Sequence, residues 1–206
     1  MGYCTWENTS EINKKYHRTE WGVPVYDDIK QFEYLMLEVM QCGLSWDIVI
    51  KKREIFRKCF DNFDFNKIAK YDEKDIERIL STEGVIKSRR KIEAIINNAK
   101  CFQKIRKEFK TFSDYLWKYS DYKTILYDKH ELGYIPTSNG LSDEISKDLK
   151  KRGFKFLGSI TVYSHLQASG IINDHIKSCP RYEFINSNFP TVKKKRYLEH
   201  NVFKTD

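Results

Sequence analysis

Residues 76–102 read IERILSTEGVIKSRRKIEAIINNAKCF, two helix-like runs separated by a short turn. Apolar residues recur three or four positions apart on both sides of that turn, which is the spacing of a buried helix face. Asp72 stands before the first run, where an acidic residue caps a helix, and Gly84 stands inside the turn. The stretch therefore predicts a short helix, a turn over residues 82–87, and a long helix from about 88 to 109.

The start of the long helix carries a concentration of positive charge. Lys87, Arg89, Arg90 and Lys91 lie there, although the helix dipole disfavours cations at that end unless an anion is bound. Backbone N–H groups exposed by a turn at a helix start bind anions well, so the segment around Gly84 suits a phosphate group. A plain pair of antiparallel helices with a solvated basic edge fits the same residues equally well.

Helical spacing continues outward from this stretch through most of the chain, whereas strand patterns are weak everywhere. The sequence therefore predicts an all-α fold. The further predicted helices cover residues 28–40, residues 46–60 behind a cap at Ser45, a helix behind Thr111, a helix capped by Ser142 and stopped by Gly153, a helix between Gly158 and Gly170, and a last helix carrying His175 and Cys179.

Composition limits the classes of protein that this chain can be. It has 206 residues, enough for one domain, and a net charge of +8, which favours a polyanionic partner such as nucleic acid. The N-terminus has no apolar segment typical of a signal peptide, and no run reaches the roughly 18 apolar residues of a membrane helix. An odd number of cysteines, five, argues against a disulfide framework. We expect a cytoplasmic protein that makes no use of a membrane.

Two cysteines and two histidines near the chain ends suggest a metal site. His175 and Cys179 are four positions apart, so on a helix they share one face, and Cys4 and His17 lie near the other terminus. Two thiolates and two imidazoles suit zinc, and four protein ligands close the site, which is typical of a structural ion. A buried cysteine at 179 with an ordinary surface histidine at 175 is the alternative.

A carboxylate and a tryptophan stand close together in the sequence. Glu38 flanks the apolar face of its predicted helix, and Trp46 follows after a short turn at Gly43. A carboxylate near an aromatic ring suits a flat cationic heterocycle. The aromatic ring stacks on the heterocycle, and the carboxylate accepts its hydrogen bonds. Taken alone, the pattern favours a core tryptophan and a surface salt bridge between Glu38 and Lys52.

A set of short motifs runs in order through the first 180 residues. They are CTW at 4–6, YH at 16–17, EWGVP at 20–24, LE at 37–38, GLSW at 43–46, KKR at 51–53, KIEAI at 91–95, LKKRGFKFLG at 149–158 and NDH at 173–175. In these motifs the chain resembles the 3-methyladenine DNA glycosylase I family, a branch of the helix–hairpin–helix DNA glycosylases. The resemblance covers residues 1–180 as a single glycosylase domain and leaves residues 181–206 as a basic C-terminal tail.

The resemblance implies an architecture of two helical lobes with the termini joined by one structural zinc ion per chain. It implies that Glu38 is the catalytic residue. The remaining implied or predicted site residues are the zinc ligands Cys4, His17, His175 and Cys179, the base-binding residues Tyr16, Trp46, Trp6 and Ser164, and the DNA-binding residues Gly43, Leu44, Gly84, Lys87 and Arg89.

The implied activity is hydrolysis of the N-glycosidic bond of 3-methyladenine in double-stranded alkylated DNA, which leaves an abasic site for base excision repair. The enzyme is expected to be a monomer without a lyase step. Three positions depart from the family pattern: Asn13 replaces a tyrosine, Arg18 replaces an aspartate, and Arg90 stands where a glycine is common. The alternative function is a zinc-stabilised DNA-binding protein without catalytic activity; a zinc hydrolase needs an open metal position, which four protein ligands do not leave.

Overall fold

The computed structural model describes residues 2–204, and helices predominate in that range. The α-helices are α1 (Glu11–Thr19), α2 (Asp28–Gln41), α3 (Trp46–Lys51), α4 (Arg53–Cys59), α5 (Phe65–Ile68), α6 (Glu73–Ser81), α7 (Arg89–Phe109), α8 (Phe112–Trp117), α9 (Gly140–Lys151), α10 (Ser159–Ala168) and α11 (Pro180–Asn188). Short 3-10 helices cover Thr5–Thr9, Asp61–Phe63, Lys118–Ser120 and His130–Leu132. The strands are β1 (Thr124–Tyr127), β2 (Tyr134–Ile135), β3 (Thr191–Lys194) and β4 (Phe203–Lys204).

The mainly helical fold is confirmed, but the strict all-α prediction is wrong because two small sheets are present. Strand β1 pairs in parallel with β3, with Thr124 opposite Thr191, and β2 pairs antiparallel with β4. All four residues of β1 are buried, so it lacks the alternation of polar and apolar residues by which a strand is read from sequence. Its partner also lies more than sixty positions away, a pairing that local patterns do not encode.

The chain divides into two compact units. Residues 26–115 and 147–157 form the first, which we call the hairpin unit. Every residue from Gln31 to Met40 of α2 is buried, so this helix runs through the interior of the unit. The Phe102 ring of α7 stacks on Phe112 at 4.2 Å between ring centroids and meets Phe32 of α2 edge-on at 5.1 Å. Each such buried aromatic side chain contributes about 1.5–3 kcal/mol, so these rings stabilise the packing of α2 against α7.

The predicted helix–turn–helix lies in the hairpin unit and is confirmed. The Asp72 carboxylate caps α6 by accepting from the Lys74 N–H at 2.8 Å, and the Asp75 carboxylate accepts from the Asp72 N–H at 3.2 Å. Gly84 in the turn has φ of +77°, a conformation that favours glycine. The Lys52 ammonium donates to the Gly84 carbonyl and fastens the turn to the end of α3.

Two helix predictions need correction. The single helix expected over residues 46–60 is two helices, because Lys52 leaves helical geometry with φ of −97° and ψ of 2°. The Ser45 cap is confirmed, since its hydroxyl accepts from the Ile48 N–H at 3.4 Å. Helix α9 is capped by Asn139 rather than by Ser142: the Asn139 side-chain oxygen accepts from the Ser142 N–H at 3.1 Å, and the Ser142 hydroxyl accepts from the Asn139 N–H at 3.0 Å.

The second compact unit consists of residues 1–25, 116–146 and 158–206, and we call it the terminal unit. The segment from 181 was expected to be a basic tail, with a solvated form favoured. Its described residues form most of α11 together with β3 and β4, and residues 205 and 206 lie outside the described part. The Gly140 N–H donates to the Tyr197 carbonyl at 3.0 Å. No helix in the described part combines the length and apolar character that crossing a bilayer requires.

Candidate functional site

Four metal-ligating side chains meet in the terminal unit. Cys4, His17, His175 and Cys179 are all buried, and one donor atom from each lies within 4.8 Å of the other three. The Nδ1 atom of His175 is 3.6 Å from the sulfur of Cys4 and 3.6 Å from that of Cys179, and the Cys179 sulfur is 3.8 Å from Nε2 of His17. The predicted grouping of these four residues is therefore confirmed, and it could hold a metal ion.

The second nitrogen of each histidine also has a partner. Nδ1 of His17 lies 2.6 Å from the buried Glu7 carboxylate, and Nε2 of His175 lies 3.2 Å from the carbonyl of Trp21. An acceptor at the outer nitrogen favours a proton there, and the inner nitrogen is then available as a lone-pair donor. Sequence patterns did not single out Glu7, because an acidic residue in a short 3-10 helix carries no motif of its own.

One prediction about this cluster is wrong. His175 and Cys179 do not lie on a helix; they lie in the irregular segment between α10 and α11, and Cys179 is the residue before α11. A hydrogen bond from the Cys4 thiol, and then contacts with His17 and His175, hold the pKa of Cys179 far below its usual range. This direction favours the thiolate, the form in which cysteine binds a metal.

Two of the predicted base-binding residues lie beside this cluster in the terminal unit. Tyr16 directly precedes His17 on α1 and is buried, and the Trp6 ring lies 6.4 Å from the Tyr16 ring and 5.1 Å from that of His17. The Trp6 ring is therefore in contact with both Tyr16 and His17. Ser164, the third predicted residue from this unit, is half-buried on α10, where its hydroxyl donates to the Ile160 carbonyl at 3.2 Å.

Glu38 and Trp46 belong to the hairpin unit, on α2 and at the first position of α3. Glu38 is only 5% exposed, and burial raises the pKa of its carboxyl to about 8. Among the residues that the structure describes, none forms a hydrogen bond or ion pair with that carboxyl. The alternative of a surface salt bridge with Lys52 is excluded, since Glu38 is buried and Lys52 donates to Gly84. Trp46 is half-buried.

The turn over residues 41–45 joins the helices of Glu38 and Trp46, and we call it the α2–α3 turn. Gly43 has φ of +78°, and a Cβ atom there would have no heavy atom within 4 Å. Leu44 is 36% exposed, so this turn presents an apolar side chain at the surface. Lys91 of α7 is buried, and its ammonium donates to the carbonyls of Met40 and Cys42 at 2.7 Å each.

Helices α6 and α7 and the turn between them form a helical hairpin, which we call the hairpin. Its basic residues at the start of α7 divide into two groups. Lys87 is exposed and forms no ion pair within the described part of the chain, and Arg90 is exposed with its guanidinium 5.9 Å from the Phe156 ring. Arg89 instead lies among acidic residues, at 2.7 Å from the Glu73 carboxylate and also in an ion pair with Glu77. The sequence alone does not distinguish these cations, because it does not show which acids α6 brings against α7.

Comparison with known proteins identifies the family. A family model described as methyladenine glycosylase matches residues 6–182. The chain belongs to the methyladenine glycosylase family. It is 43% identical over 182 residues to DNA-3-methyladenine glycosylase 1 of Escherichia coli, a match that spans 88% of this chain and 97% of the relative.

Solved structures agree with this family membership. A crystal structure of 3-methyladenine DNA glycosylase I is 44% identical, with a TM-score of 0.82 over 87% of this chain and 98% of that one. The Staphylococcus aureus 3-methyladenine DNA glycosylase I, in a structure concerned with 3-methyladenine recognition, is 36% identical. Its TM-score is 0.80 over 86% of this chain and 94% of that one.

Arg18, one of the positions expected to depart from the family pattern, contacts a buried carboxylate. Its guanidinium donates to Glu7 at 2.7 Å, while the other oxygen of that carboxylate meets His17. Arg18 therefore binds the same carboxylate that lies against His17 of the four-residue cluster. Asn13, the second departure, is buried and its side-chain amide donates to the Thr9 hydroxyl, which ties α1 to the 3-10 helix that precedes it.

The family match ends at residue 182, before the C-terminal segment of this methyladenine glycosylase. Within the terminal unit, His130 links that segment to the metal cluster. Its Nδ1 lies 2.6 Å from the carboxylate of Asp174, the residue before His175, and its Nε2 lies 2.8 Å from the Glu199 carboxylate. The segment after the matched region is thereby anchored beside the four-residue cluster.

Proposed function

We propose that this protein is a monofunctional DNA glycosylase that excises 3-methyladenine from alkylated DNA, leaving an abasic site for base excision repair. The Glu38 carboxyl is the observation that carries this function. It is buried without a partner in residues 2–204, an arrangement that costs stability unless a ligand supplies the missing interaction. The named activity of the E. coli relative and the 3-methyladenine recognition of the S. aureus enzyme support this reading.

The chemistry of the damaged base fits this carboxyl. A methyl group on N3 makes adenine cationic in the nucleotide and weakens its N-glycosidic bond, so the leaving group is already activated. An ionised Glu38 accepts hydrogen bonds from the base and is stabilised by its positive charge, which neutral adenine lacks. We assign Tyr16, Trp46, Trp6 and Ser164 to base binding; stacking on an aromatic ring contributes about 1–3 kcal/mol.

The experiment is single-turnover release of base from methylated duplex DNA, with the released base identified by chromatography. Glu38→Gln keeps the shape of the side chain and removes its charge, and it is expected to reduce excision at least a hundredfold while DNA binding changes little. Glu144→Gln, an exposed position on α9, is the matched control. Absence of 3-methyladenine release by the wild-type protein supports the alternative of a DNA-binding protein without activity.

We propose that the Cys4, His17, His175 and Cys179 cluster binds one zinc ion, which is structural. A tetrahedral zinc with bonds of about 2.0–2.3 Å separates neighbouring ligand atoms by about 3.3–3.8 Å. The sulfur–nitrogen distances of 3.6–3.8 Å match that range. Four protein ligands leave no position for substrate, so the ion would supply folding energy rather than chemistry. Metal analysis is expected to give one zinc per chain.

We propose that the hairpin binds the DNA backbone through Gly84, Lys87 and Arg89, and that Gly43 and Leu44 enter the duplex beside the extruded nucleotide. Lys87 is the strongest of these assignments because it is exposed and has no acidic partner in residues 2–204. Replacing it with alanine is expected to lower the slope of log affinity against log salt by about 0.9. Arg89 must leave Glu73 and Glu77 to reach a phosphate, so its replacement is expected to have a smaller effect.

We further propose that the protein acts as a cytoplasmic monomer on double-stranded DNA. Its five cysteines are unpaired, as in a reducing compartment. We also propose that residues 1–180 are the glycosylase domain and that the basic residues after 181 are accessory to it, since the family match ends at 182.

A further inference from the structure

Lys91 differs from the other cations at the start of α7 because its ammonium makes its hydrogen bonds inside the protein. It is 8% exposed, whereas Lys87 and Arg90 are exposed. Burial lowers the pKa of its ammonium, so placing the charge there has a cost. Its hydrogen bonds are to two backbone carbonyls of a different helix, those of Met40 and Cys42 at 2.7 Å each.

Those carbonyls belong to the last turn of α2, where a helix leaves its acceptors unpaired. The Glu38 carbonyl accepts from the Cys42 thiol at 3.6 Å, and the Val39 carbonyl from the Cys42 N–H at 3.3 Å. The Gln41 carbonyl accepts from the Leu44 N–H at 2.6 Å. Lys91 supplies the donors for the two that remain, so all five carbonyls from 38 to 42 are paired.

These hydrogen bonds hold the end of α2 and the start of the α2–α3 turn. Residues with a proposed role in base binding lie before and after this turn. Glu38 lies one helical turn before it, and Trp46 follows it after the Ser45 cap. Gly43 and Leu44 are exposed at its tip. Lys91 also lies only four positions after Lys87, the proposed phosphate contact. One side chain thus joins the hairpin to the segment that carries the base-binding residues of this unit.

We propose that Lys91 is a positioning residue for base extrusion: it holds the α2–α3 turn in the form that enters the duplex when the hairpin is seated on the backbone. This inference rests on the proposed glycosylase function. Lys91 touches neither the base nor a phosphate in this role. Its contribution is made when the nucleotide leaves the stack, a step whose cost is smallest for a base that is already unpaired.

The test uses a DNA strand with a single adenine, which is methylated. Two separate duplexes are then prepared by annealing this strand to two different complementary strands. One partner pairs the lesion with thymine, and the other places an abasic analogue opposite it. Single-turnover release of 3-methyladenine is measured for wild type, Lys91→Met and Lys91→Arg. Lys100→Met is the control, an exposed lysine on the same helix with no assigned role.

We expect Lys91→Met to slow release from the paired duplex at least thirtyfold and from the unpaired lesion less than threefold. Lys91→Arg keeps the charge and donors, so its deficit on the paired duplex is expected to be smaller, and again larger than its deficit on the unpaired lesion. Equal losses on both substrates, or no loss on either, would overturn the proposal.

Folding is followed by circular dichroism for each variant. If Lys91→Met does not fold, Lys91→Arg alone decides the question. The inference is then overturned if the rate of Lys91→Arg, divided by that of wild type, is the same for the paired and the unpaired lesion. Wild-type protein that releases no base from either duplex would contradict the proposed function itself, an outcome distinct from any behaviour of the Lys91 variants.

Discussion

Glu38→Gln is expected to make the free protein more stable at neutral pH while it slows excision at least a hundredfold. Burial raises the pKa of Glu38 from 4.5 to about 8. One pH unit corresponds to about 1.4 kcal/mol for a single titrating group. At pH 7 the ionisable carboxyl therefore costs the folded state about 3 kcal/mol, and at pH 8 it costs about 4 kcal/mol.

The direction follows from proton binding by the two states. Above pH 4.5 the unfolded chain releases the Glu38 proton, whereas the folded protein keeps it up to about pH 8. The folded state binds more protons in this window, so the free energy of unfolding falls as pH rises. The contribution is complete below pH 4.5 and is lost at about 1.4 kcal/mol per pH unit until about pH 8. Glutamine does not titrate and removes this slope.

The assay is urea unfolding followed by far-UV circular dichroism at pH 5, 6, 7 and 8, with metal at the same level throughout. Any pH-dependence of metal binding is common to both proteins and cancels in the difference. A glutamine amide in the same place adds an offset that does not vary with pH, so the difference in slope isolates the carboxyl. Glu144→Gln controls for the loss of an exposed carboxylate.

Parallel curves for wild type and Glu38→Gln between pH 5 and 8 would refute the reasoning. They would mean that the carboxyl of the free protein has an ordinary pKa and is reached by water or by a cation. A difference that grows with pH confirms that the site is maintained at the expense of stability, as expected for a group whose partner is the substrate.

Three further outcomes are expected. The value of kcat/KM for excision should rise about tenfold per pH unit up to about pH 8 and then level off, because the free protein must ionise Glu38, and Glu38→Gln should show a flat profile. Prolonged chelation, or Cys179→Ser, should lower the thermal midpoint by several degrees, measured by calorimetry with and without added zinc. Gly43→Ala should lower the free energy of unfolding by about 1–2 kcal/mol from backbone strain alone. Gly170→Ala, with the same φ of +78°, should lower it more, because its Cβ would meet the Pro24 backbone at 2.5 Å. Urea unfolding measures both.

Long, strongly periodic helices were predictable from the sequence. The caps at Ser45 and Asp72 and the extent of α7 follow from local rules, because one helix face and its first turn carry the information. The break at Lys52 was not predictable, since neither glycine nor proline marks it. The two sheets were missed for a similar reason: their strands are short, and their partners are distant in sequence.

The residues of the candidate site were likewise predictable only in part. Residue types alone grouped Cys4, His17, His175 and Cys179, and the grouping is correct although the helix assumed for two of them is not. Burial of Glu38 was beyond local reasoning, which favoured a surface salt bridge; the motifs of the family supplied what spacing could not. The partners of charged side chains were also beyond it, because they come from elements that only folding brings together.

The order in which the chain is synthesised bears on the metal cluster. Its first donor is Cys4 and its last is Cys179, so the cluster closes a loop of about 175 residues, and the unit that contains it is built from three separated segments. Most of the hairpin unit is one continuous stretch, which can fold while later residues are still being made. We therefore expect the hairpin unit to form first during translation. Cys4 and His17 then stay apart from the other two members of the cluster until the last quarter of the chain leaves the ribosome.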